Sequence, residues 1–208
     1  MASIHIPQHV GTILLKNAVT FPHGMMPLHI FEPRYRKMLT DALEAESMIC
    51  VANLQSDETS DPAQCTSNIG YLGLIRYSEK QEDERSHLIL HSISRVDFLS
   101  WQTDTKYPYP RAQIRPIKDI LEPDTASTEI IIASLRDATS RFLKQFDTEV
   151  IARTNEVLDR VNEDLSVLSD VVAQHFITNA ALRQQLLEDN QPSNRAEKLI
   201  RYLRAQKH

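Results

Sequence analysis

Residues 21–39 read FPHGMMPLHIFEPRYRKML, and this stretch predicts a sharp corner, a short strand and the start of a helix. Its two early prolines each fix φ near about −65°, and Gly24 can adopt a positive φ, so the first residues are expected to form a turn. The apolar side chains between residues 25 and 30 then indicate a short extended segment. A helix is expected to open at Pro33, because proline lacks the N–H that a first helical turn leaves unbonded.

The helix that starts at Pro33 is predicted to be amphipathic. Tyr35, Met38 and Leu39 recur at three-to-four-residue spacing, which is the pattern of a helix face that packs on a core. The charged residues Glu32 and Arg34 fit a solvated helix edge, with a ligand site as the alternative interpretation.

The composition is that of a globular protein with one large domain or two small ones. The chain has 208 residues, of which 41% are hydrophobic and 25% charged, so wholesale disorder is not expected. The net charge of −5 argues against the broad basic surface that nucleic-acid binding requires. No run of about 18 apolar residues and no signal-peptide pattern occur, so we expect a cytoplasmic protein with no membrane segment.

Strand patterns dominate residues 1–122, which we interpret as one β-rich domain with a single helix. The patterns are short, rich in β-branched or aromatic residues, and bounded by polar or proline-containing segments. The predicted strands are residues 12–16, 47–54, 69–77, 86–93, 95–99 and 111–117. Two polar segments, residues 54–68 and 78–85, are expected to be mobile loops.

Helical spacing replaces the strand patterns in residues 123–208, which we interpret as a helical bundle. The first helix is expected to begin near Thr125 or Ser127 and to bury one apolar stripe. That stripe consists of Ile131, Leu135, Ala138, Phe142 and Phe146. Three shorter helices are predicted to begin after Asp164, Asn179 and Ser193. Residues 150–161 either continue the first helix or form a separate one.

Residues 21–39 resemble the N-terminal signature of the Lon protease substrate-binding domain, FPGMxxPLHIFEPRYRxML, apart from the additional His23. Weaker similarities to that family cover nearly the whole chain: IGYLGLIRY (69–77), HSISRVDFL (91–99), YPRAQI (109–114) and the leucine-rich helices that follow residue 164. Ser92 and Val96 stand where the family usually has a glycine and an aromatic residue. The resemblance implies an α+β fold, in which a PUA-like β pseudo-barrel is followed by a C-terminal α-helical bundle.

A full Lon protease couples an ATP-driven motor to a serine-lysine peptidase, and the sequence shows the motifs of neither. No GxxxxGK[ST] phosphate loop occurs, and the predicted bundle leaves no room for a peptidase domain after it. We therefore expect a stand-alone member of the family that is not an enzyme, with no catalytic residues and no cofactor. A hydrolase with an unrecognised site is a further alternative, although no GxSxG elbow supports it.

A metal site is not expected. His87 and His91 lie in a predicted strand, where four residues span about 13 Å, and this separation is too large for one ion. No HExxH motif and no CxxC pair occur either.

Aromatic residues supply the candidates for a binding surface. The segment WQTDTKYPYP (101–110) places tyrosines and a tryptophan around two prolines in a predicted loop, and such side chains often anchor interfaces. The alternative is that they cap one end of the barrel or seal the junction between the β-rich half and the helices. Together with the residues at the helix start, they define a polypeptide-binding set: Phe31, Glu32, Arg34, Tyr35, Trp101, Tyr107 and Tyr109.

The leading hypothesis is a non-catalytic protein that recognises polypeptide substrates, with an adaptor for unfolded or degradation-bound clients as one form of that role. Its expected partners are polypeptide clients or a partner protein, and the sequence does not determine the oligomeric state. The alternative is an RNA-binding PUA-like module, which the net negative charge of the chain disfavours.

Overall fold

The computed structural model describes residues 5–102, 106–120, 124–161 and 164–206. The chain divides into two compact units, Met1–Ile117 and Lys118–His208. The boundary lies a few residues before the expected position at residue 122, because the connecting residues contact the helices. The Ile120 N–H donates to the Asn190 carbonyl at 2.8 Å, and Asp119 binds Arg195.

The first unit contains one mixed sheet and two helices among its described residues. Its elements are β1 (His9–Leu15), β2 (Met25–Ile30), α1 (Pro33–Leu43), β3 (Met48–Asn53), α2 (Pro62–Cys65), β4 (Ile69–Lys80), β5 (Ser86–Gln102) and β6 (Arg111–Ile117). The strand order is β2-β5-β4-β3-β1-β6, and β6 also pairs with β5. Strands β5, β4, β3, β1 and β6 are therefore paired in a closed ring, and β2 adds to β5 outside it. Only the pairing of β1 with β3 is parallel among these.

Strand β5 makes this closed pairing possible. The sequence predicts two strands over residues 86–93 and 95–99, whereas the structure has one strand of 17 residues. Its first part pairs with β2 and its last part with β6, while β4 pairs along most of its length. Register shifts interrupt the ladders with β4 and β6, and such irregularities bend a long strand.

The corner that precedes β2 is built around His23. This residue has φ 70°, and no glycine of the described chain has a positive φ, so the expectation for Gly24 is wrong. The Gly24 N–H donates to the Phe21 carbonyl at 2.9 Å, and the His23 N–H donates to the Ser92 carbonyl at 2.9 Å. The additional residue thus occupies the left-handed position, which histidine adopts more readily than most side chains do.

The core of the first unit lies inside the ring of strands. Each ring strand contributes at least one side chain with at most 2% exposure: Val10, Cys50, Leu72, Val96 and Ala112. The segment 54–68, expected as a mobile loop, contains α2, whose Cys65 is 1% exposed. Both Cys50 and Cys65 are free thiols.

The second unit consists of helices in its described residues. They are α3 (Thr125–Leu143), α4 (Thr148–Arg160), α5 (Leu165–Phe176), α6 (Ala180–Glu188) and α7 (Pro192–Ala205). Side chains of Asp124, Asp164 and Asn179 accept hydrogen bonds from the first free N–H groups of α3, α5 and α6. Residues 150–161 lie mostly in the separate helix α4, which resolves the alternative left open by the sequence. The structure therefore has the α+β class and the C-terminal helices that the sequence predicts.

The buried face of α3 differs from the predicted stripe. Leu135 and Ala138 are buried as expected, but Phe146 is 42% exposed. Helix α3 ends at Leu143, so Phe146 lies beyond the face that the neighbouring helices cover. The buried residues of α3 are Ile132, Leu135, Ala138, Thr139 and Leu143.

Candidate functional site

The outer surface of strands β2, β5 and β4 exposes several large apolar side chains. Met25 is 52% exposed, Tyr77 51% and Ile89 37%. The register places Pro27 opposite Ile89, and Ile89 opposite Tyr77, so these residues form one row across three strands. We call this surface the exposed sheet face, and its members are Met25, Pro27, His29, Phe31, Tyr77, His87 and Ile89.

Aromatic rings extend the exposed sheet face toward the start of α1. His29 and His87 lie directly opposite each other on β2 and β5, with their rings stacked at 4.7 Å between centroids. The Phe31 ring lies 5.8 Å from that of His29 and is 57% exposed. Phe31, a predicted contact residue, therefore belongs to a continuous ring cluster at the surface. In the described ranges no group of three or more His, Cys, Asp or Glu side chains could hold a metal ion.

The other predicted residues at the start of α1 have different surroundings. Glu32 and Arg34 form an ion pair at 2.8 Å between Oε2 and Nε. The Arg34 guanidinium lies 4.5 Å from the centre of the Tyr35 ring. Tyr35 itself is 3% exposed, and its hydroxyl accepts the Leu14 N–H at 3.0 Å. Tyr35 is thus a core residue that supports this corner. Because its ring is buried, it cannot contact a client directly.

Trp101 lies in a strand instead of the predicted loop. It is a residue of β5, half-buried, and its ring centroid is 5.0 Å from that of Phe98 in the core cluster. Residues 103–105 of the same segment lie outside the described residues. Trp101 therefore packs against the core cluster of the first unit.

Tyr107 and Tyr109 line a pocket of about 510 Å³ within the first unit. We call it the Tyr107 pocket. Its lining includes Val10, Gly11, Met38, Asp41, Tyr107 and Arg111. The two tyrosine rings are 5.5 Å apart, and Tyr109 is 7% exposed. Gly11 permits close packing beneath the pocket, because a Cβ atom there would lie 2.6 Å from the Met38 Cγ.

Asp41 of α1 is the electrostatic centre of the Tyr107 pocket. Its Oδ1 accepts from Lys37, and its Oδ2 accepts the Tyr109 hydroxyl at 2.8 Å. Partial burial opposes the charge of Asp41, but the hydrogen bonds from Lys37 and Tyr109 outweigh it and hold the pKa of this carboxyl below its ordinary value. The same contact, together with burial, raises the pKa of Tyr109, so Tyr109 stays protonated and keeps donating.

Removal of the Tyr109 hydroxyl tests this arrangement. We expect Tyr109→Phe to lower the free energy of unfolding by about 1–2 kcal/mol at neutral pH, because a charged acceptor loses its donor. The pKa of Asp41 is depressed in the folded state, so this stabilisation is present above its ordinary value of 3.8 and is lost as the pH falls through the lower folded value. Urea unfolding in neutral and in acidic buffer measures both effects. Tyr107→Phe is the matched control, and an equal loss for both variants would contradict the assignment.

Several residues of these surfaces were not predicted from the sequence. Met25 and Ile89 belong to strand segments with consecutive apolar residues, and such segments do not show which face remains uncovered. The four-residue spacing of Lys37 and Asp41 on a predicted helix indicates an ion pair, but not its contact with Tyr109. Arg111 has no local signal of any kind.

A sequence profile of the ATP-dependent protease La (LON) substrate-binding domain matches residues 9–205, almost the whole chain. The chain belongs to the Lon substrate-binding domain family. This result confirms the resemblance recognised in residues 21–39.

Curated relatives of this Lon-family chain are similar to it over a limited part of their own length. Lon protease 1 of Thermus thermophilus is 22% identical over 91% of the chain, which covers 24% of that protease. Lon protease 2 of Herpetosiphon aurantiacus is 26% identical over 84% of the chain, which covers 21% of that protease. The chain thus spans about a quarter or less of these relatives, and the matched family is the substrate-binding domain, not the ATPase or peptidase.

Solved structures confirm the fold. The N-terminal domain of the Mycobacterium avium complex Lon protease matches with a TM-score of 0.74 at 15% identity, covering 96% of this chain and all of that one. The Lon N-terminal domain protein of Xanthomonas campestris matches with a TM-score of 0.63 at 16% identity, covering 93% of this chain and 98% of that one. None of these comparisons supports the RNA-binding alternative. No described helix of this chain is long and apolar enough to cross a membrane.

Proposed function

We propose that this Lon-family chain binds exposed apolar segments of unfolded polypeptides on the exposed sheet face and does not itself turn them over. The observation that carries the proposal is the row of solvent-exposed apolar and aromatic side chains across β2, β5 and β4. The family is named for substrate binding, and the residues of this face, except Phe31, lie on paired strands within the matched region. A clustered apolar surface of this kind on a folded domain usually marks an interaction site.

The contacts that this face offers are side-chain contacts. Among the described strands β2 pairs with β5 alone, so its other side is a strand edge. Pro27 lies in the middle of β2 and lacks an N–H, which disfavours the addition of a client strand to that edge. Recognition through Met25, Phe31 and Ile89 depends on apolar area instead of backbone pairing. Such contacts suit clients that share exposed hydrophobic residues but no sequence.

Two substitutions on the face test the proposal. We expect Phe31→Ser combined with Ile89→Ser to weaken binding of a permanently unfolded, fluorescently labelled client by about tenfold, because two apolar contacts are lost. Fluorescence anisotropy measures the affinity, and thermal unfolding checks that the fold is intact.

The matched control is Leu99→Ser, which removes an apolar side chain that is 47% exposed on β5 but is not part of the face. Its affinity for the client should equal that of the unchanged protein. The proposal fails if the unchanged protein binds no unfolded client, or if Leu99→Ser weakens binding as much as the double variant does. Mass spectrometry of the client after incubation with the protein tests the absence of turnover.

An adaptor role is a further part of the proposal. In this role the chain would hold a client for a separate degradation machine, with a polypeptide client or a partner protein as its ligand. Support comes from the match to the substrate-binding part of relatives that are proteases. The cytoplasmic location expected from the sequence stays a prediction.

A further inference from the structure

Arg111 is a half-buried cation that no carboxylate of the described residues neutralises by an ion pair. Its guanidinium carbon lies 4.3 Å from the centroid of the Tyr107 ring, and its Nη2 donates to the His9 carbonyl at 3.2 Å. Neither contact carries a negative charge. A half-buried guanidinium without a carboxylate partner keeps N–H groups that can donate to an anionic ligand.

Asp41 is the carboxylate whose charge interacts with that of Arg111, but its oxygens accept hydrogen bonds from other side chains. The charge of Arg111 contributes to the low pKa of Asp41, but the two oxygens of Asp41 accept from Lys37 and Tyr109. Lys106 adds a second positive charge, since its Nζ lies 5.3 Å from the Tyr107 ring centroid. The lining holds three cationic side chains, Lys37, Lys106 and Arg111, and three carboxylates, Asp41, Glu44 and Glu46, so the cationic part of the pocket is the Arg111 guanidinium itself.

The pocket combines this cationic part with an apolar one. Pro7, Ala42 and Ala45 supply apolar lining that is at least partly exposed, above the buried side chains of Val10 and Met38. The volume of about 510 Å³ lies within the range of pockets that enclose a small ligand. An occupant that satisfies both parts carries a carboxylate and an apolar side chain close together.

We propose that the Tyr107 pocket binds the C-terminal carboxylate of a polypeptide whose last residue is apolar. This inference rests on the proposed polypeptide-binding function and adds a second, end-specific site to it. The carboxylate accepts two hydrogen bonds from the Arg111 fork, which matches the planar geometry of a carboxylate. A C-terminal leucine or phenylalanine carries a main-chain carboxylate and an apolar side chain on the same residue. An internal aspartate or glutamate has its carboxylate on the side chain and therefore has no apolar side chain.

Two peptides of one sequence test the inference without any mutation. One short fluorescein-labelled peptide ends in leucine with a free carboxylate, and the other ends in leucine amide. We expect the free acid to bind at least about tenfold more tightly in fluorescence anisotropy, because the amide has no charge to pair with Arg111. Equal affinities for the two peptides would overturn the inference.

Substitution of Arg111 locates the effect. We expect Arg111→Gln to abolish the preference for the free acid while the thermal unfolding midpoint changes little. Arg115→Gln is the matched control, because Arg115 is exposed on the same strand and pairs with Asp97 at 2.6 Å. A preference for the free acid that persists in Arg111→Gln would overturn the assignment to this pocket.

The unfolded client of the preceding subsection separates failure of this inference from failure of the proposed function. If the client binds on the exposed sheet face and neither leucine peptide binds, the end-specific site is absent and the proposed function stands. If the free acid binds through Arg111 and the unfolded client with a blocked C-terminus does not bind, the pocket is supported and the exposed sheet face is not a docking site.

Discussion

Arg195→Ala is expected to unfold the second unit or to lower its free energy of unfolding by about 3–5 kcal/mol. Arg195 is 1% exposed at the start of α7 and binds both oxygens of Asp119, at 2.8 and 2.7 Å. Its Nε also lies 3.3 Å from an oxygen of Asp170, which is 1% exposed. The alanine variant removes the guanidinium that both carboxylates contact inside the unit. Urea unfolding followed by circular dichroism measures the loss.

The planar geometry of the Arg195 guanidinium contributes to the stability of the second unit as well as its charge. Burial opposes the charged form, but the hydrogen bonds with Asp119 outweigh it and hold the pKa of Arg195 above its ordinary value. The same side chain donates to the Asp189 carbonyl at 3.0 Å and to the Ser169 hydroxyl at 3.2 Å. Arg195→Lys keeps the charge but not the planar fork, so we expect an intermediate loss of stability.

A surface arginine of the same helix provides the control for this prediction. Arg201 is exposed and makes one hydrogen bond, to the Glu197 carbonyl at 3.3 Å. Arg201→Ala should change the free energy of unfolding by less than about 0.5 kcal/mol. Comparable losses for Arg195→Ala and Arg201→Ala would refute the view that the buried ion pairs organise this unit.

Gly70→Ala is the second substitution with a large expected effect, about 3 kcal/mol on the first unit or complete failure to fold. A Cβ atom at Gly70 would clash with the carbonyl oxygen of Val51 and would lie 2.7 Å from the Phe98 ring. The backbone carbonyl cannot move away without breaking the pairing of β3 with β4, in which Val51 faces Tyr71. Soluble yield and thermal unfolding measure the effect.

The same strand offers a matched glycine. A Cβ atom at Gly73 would lie 3.2 Å from the Leu90 Cβ, so a shift of a few tenths of an ångström accommodates it. We expect Gly73→Ala to cost about 1 kcal/mol. If Gly70→Ala is tolerated as well as Gly73→Ala, the close approach of β3 and Phe98 to Gly70 does not limit the fold.

Local patterns predicted most elements of this protein but not the details of their surfaces. The proline and glycine pattern of residues 21–39 predicted the corner, β2 and the first turn of α1. It assigned the positive φ to Gly24, whereas His23 adopts it, because the choice depends on hydrogen bonds to Ser92 on a distant strand. The stripe of α3 was shifted for a similar reason, since neighbouring helices select which apolar side chains they cover.

The proposed binding surfaces were predicted only in part. Phe31 was predicted and lies on the exposed sheet face, and Tyr107 was predicted and lines the pocket. Tyr35 and Trp101 carry the same kind of aromatic signal, yet one is in the core and the other packs on Phe98. Residue type does not distinguish an anchor in an interface from a residue that seals a barrel end, because both need an apolar body with a polar tip.

The sequence by itself determined most of the strands and helices, the change from a β-rich unit to a helical one, and membership of the Lon substrate-binding domain family. The tertiary structure alone decided that β5 closes the ring of strands, that the row from Pro27 to Tyr77 remains uncovered, and that Arg111 meets Tyr107 beside Asp41. The physical reason is the separation along the sequence between the residues that interact. Turns and amphipathic periods depend on residues a few positions apart, whereas the Tyr109 to Asp41 hydrogen bond joins residues 68 positions apart and exists only when the whole sheet has formed.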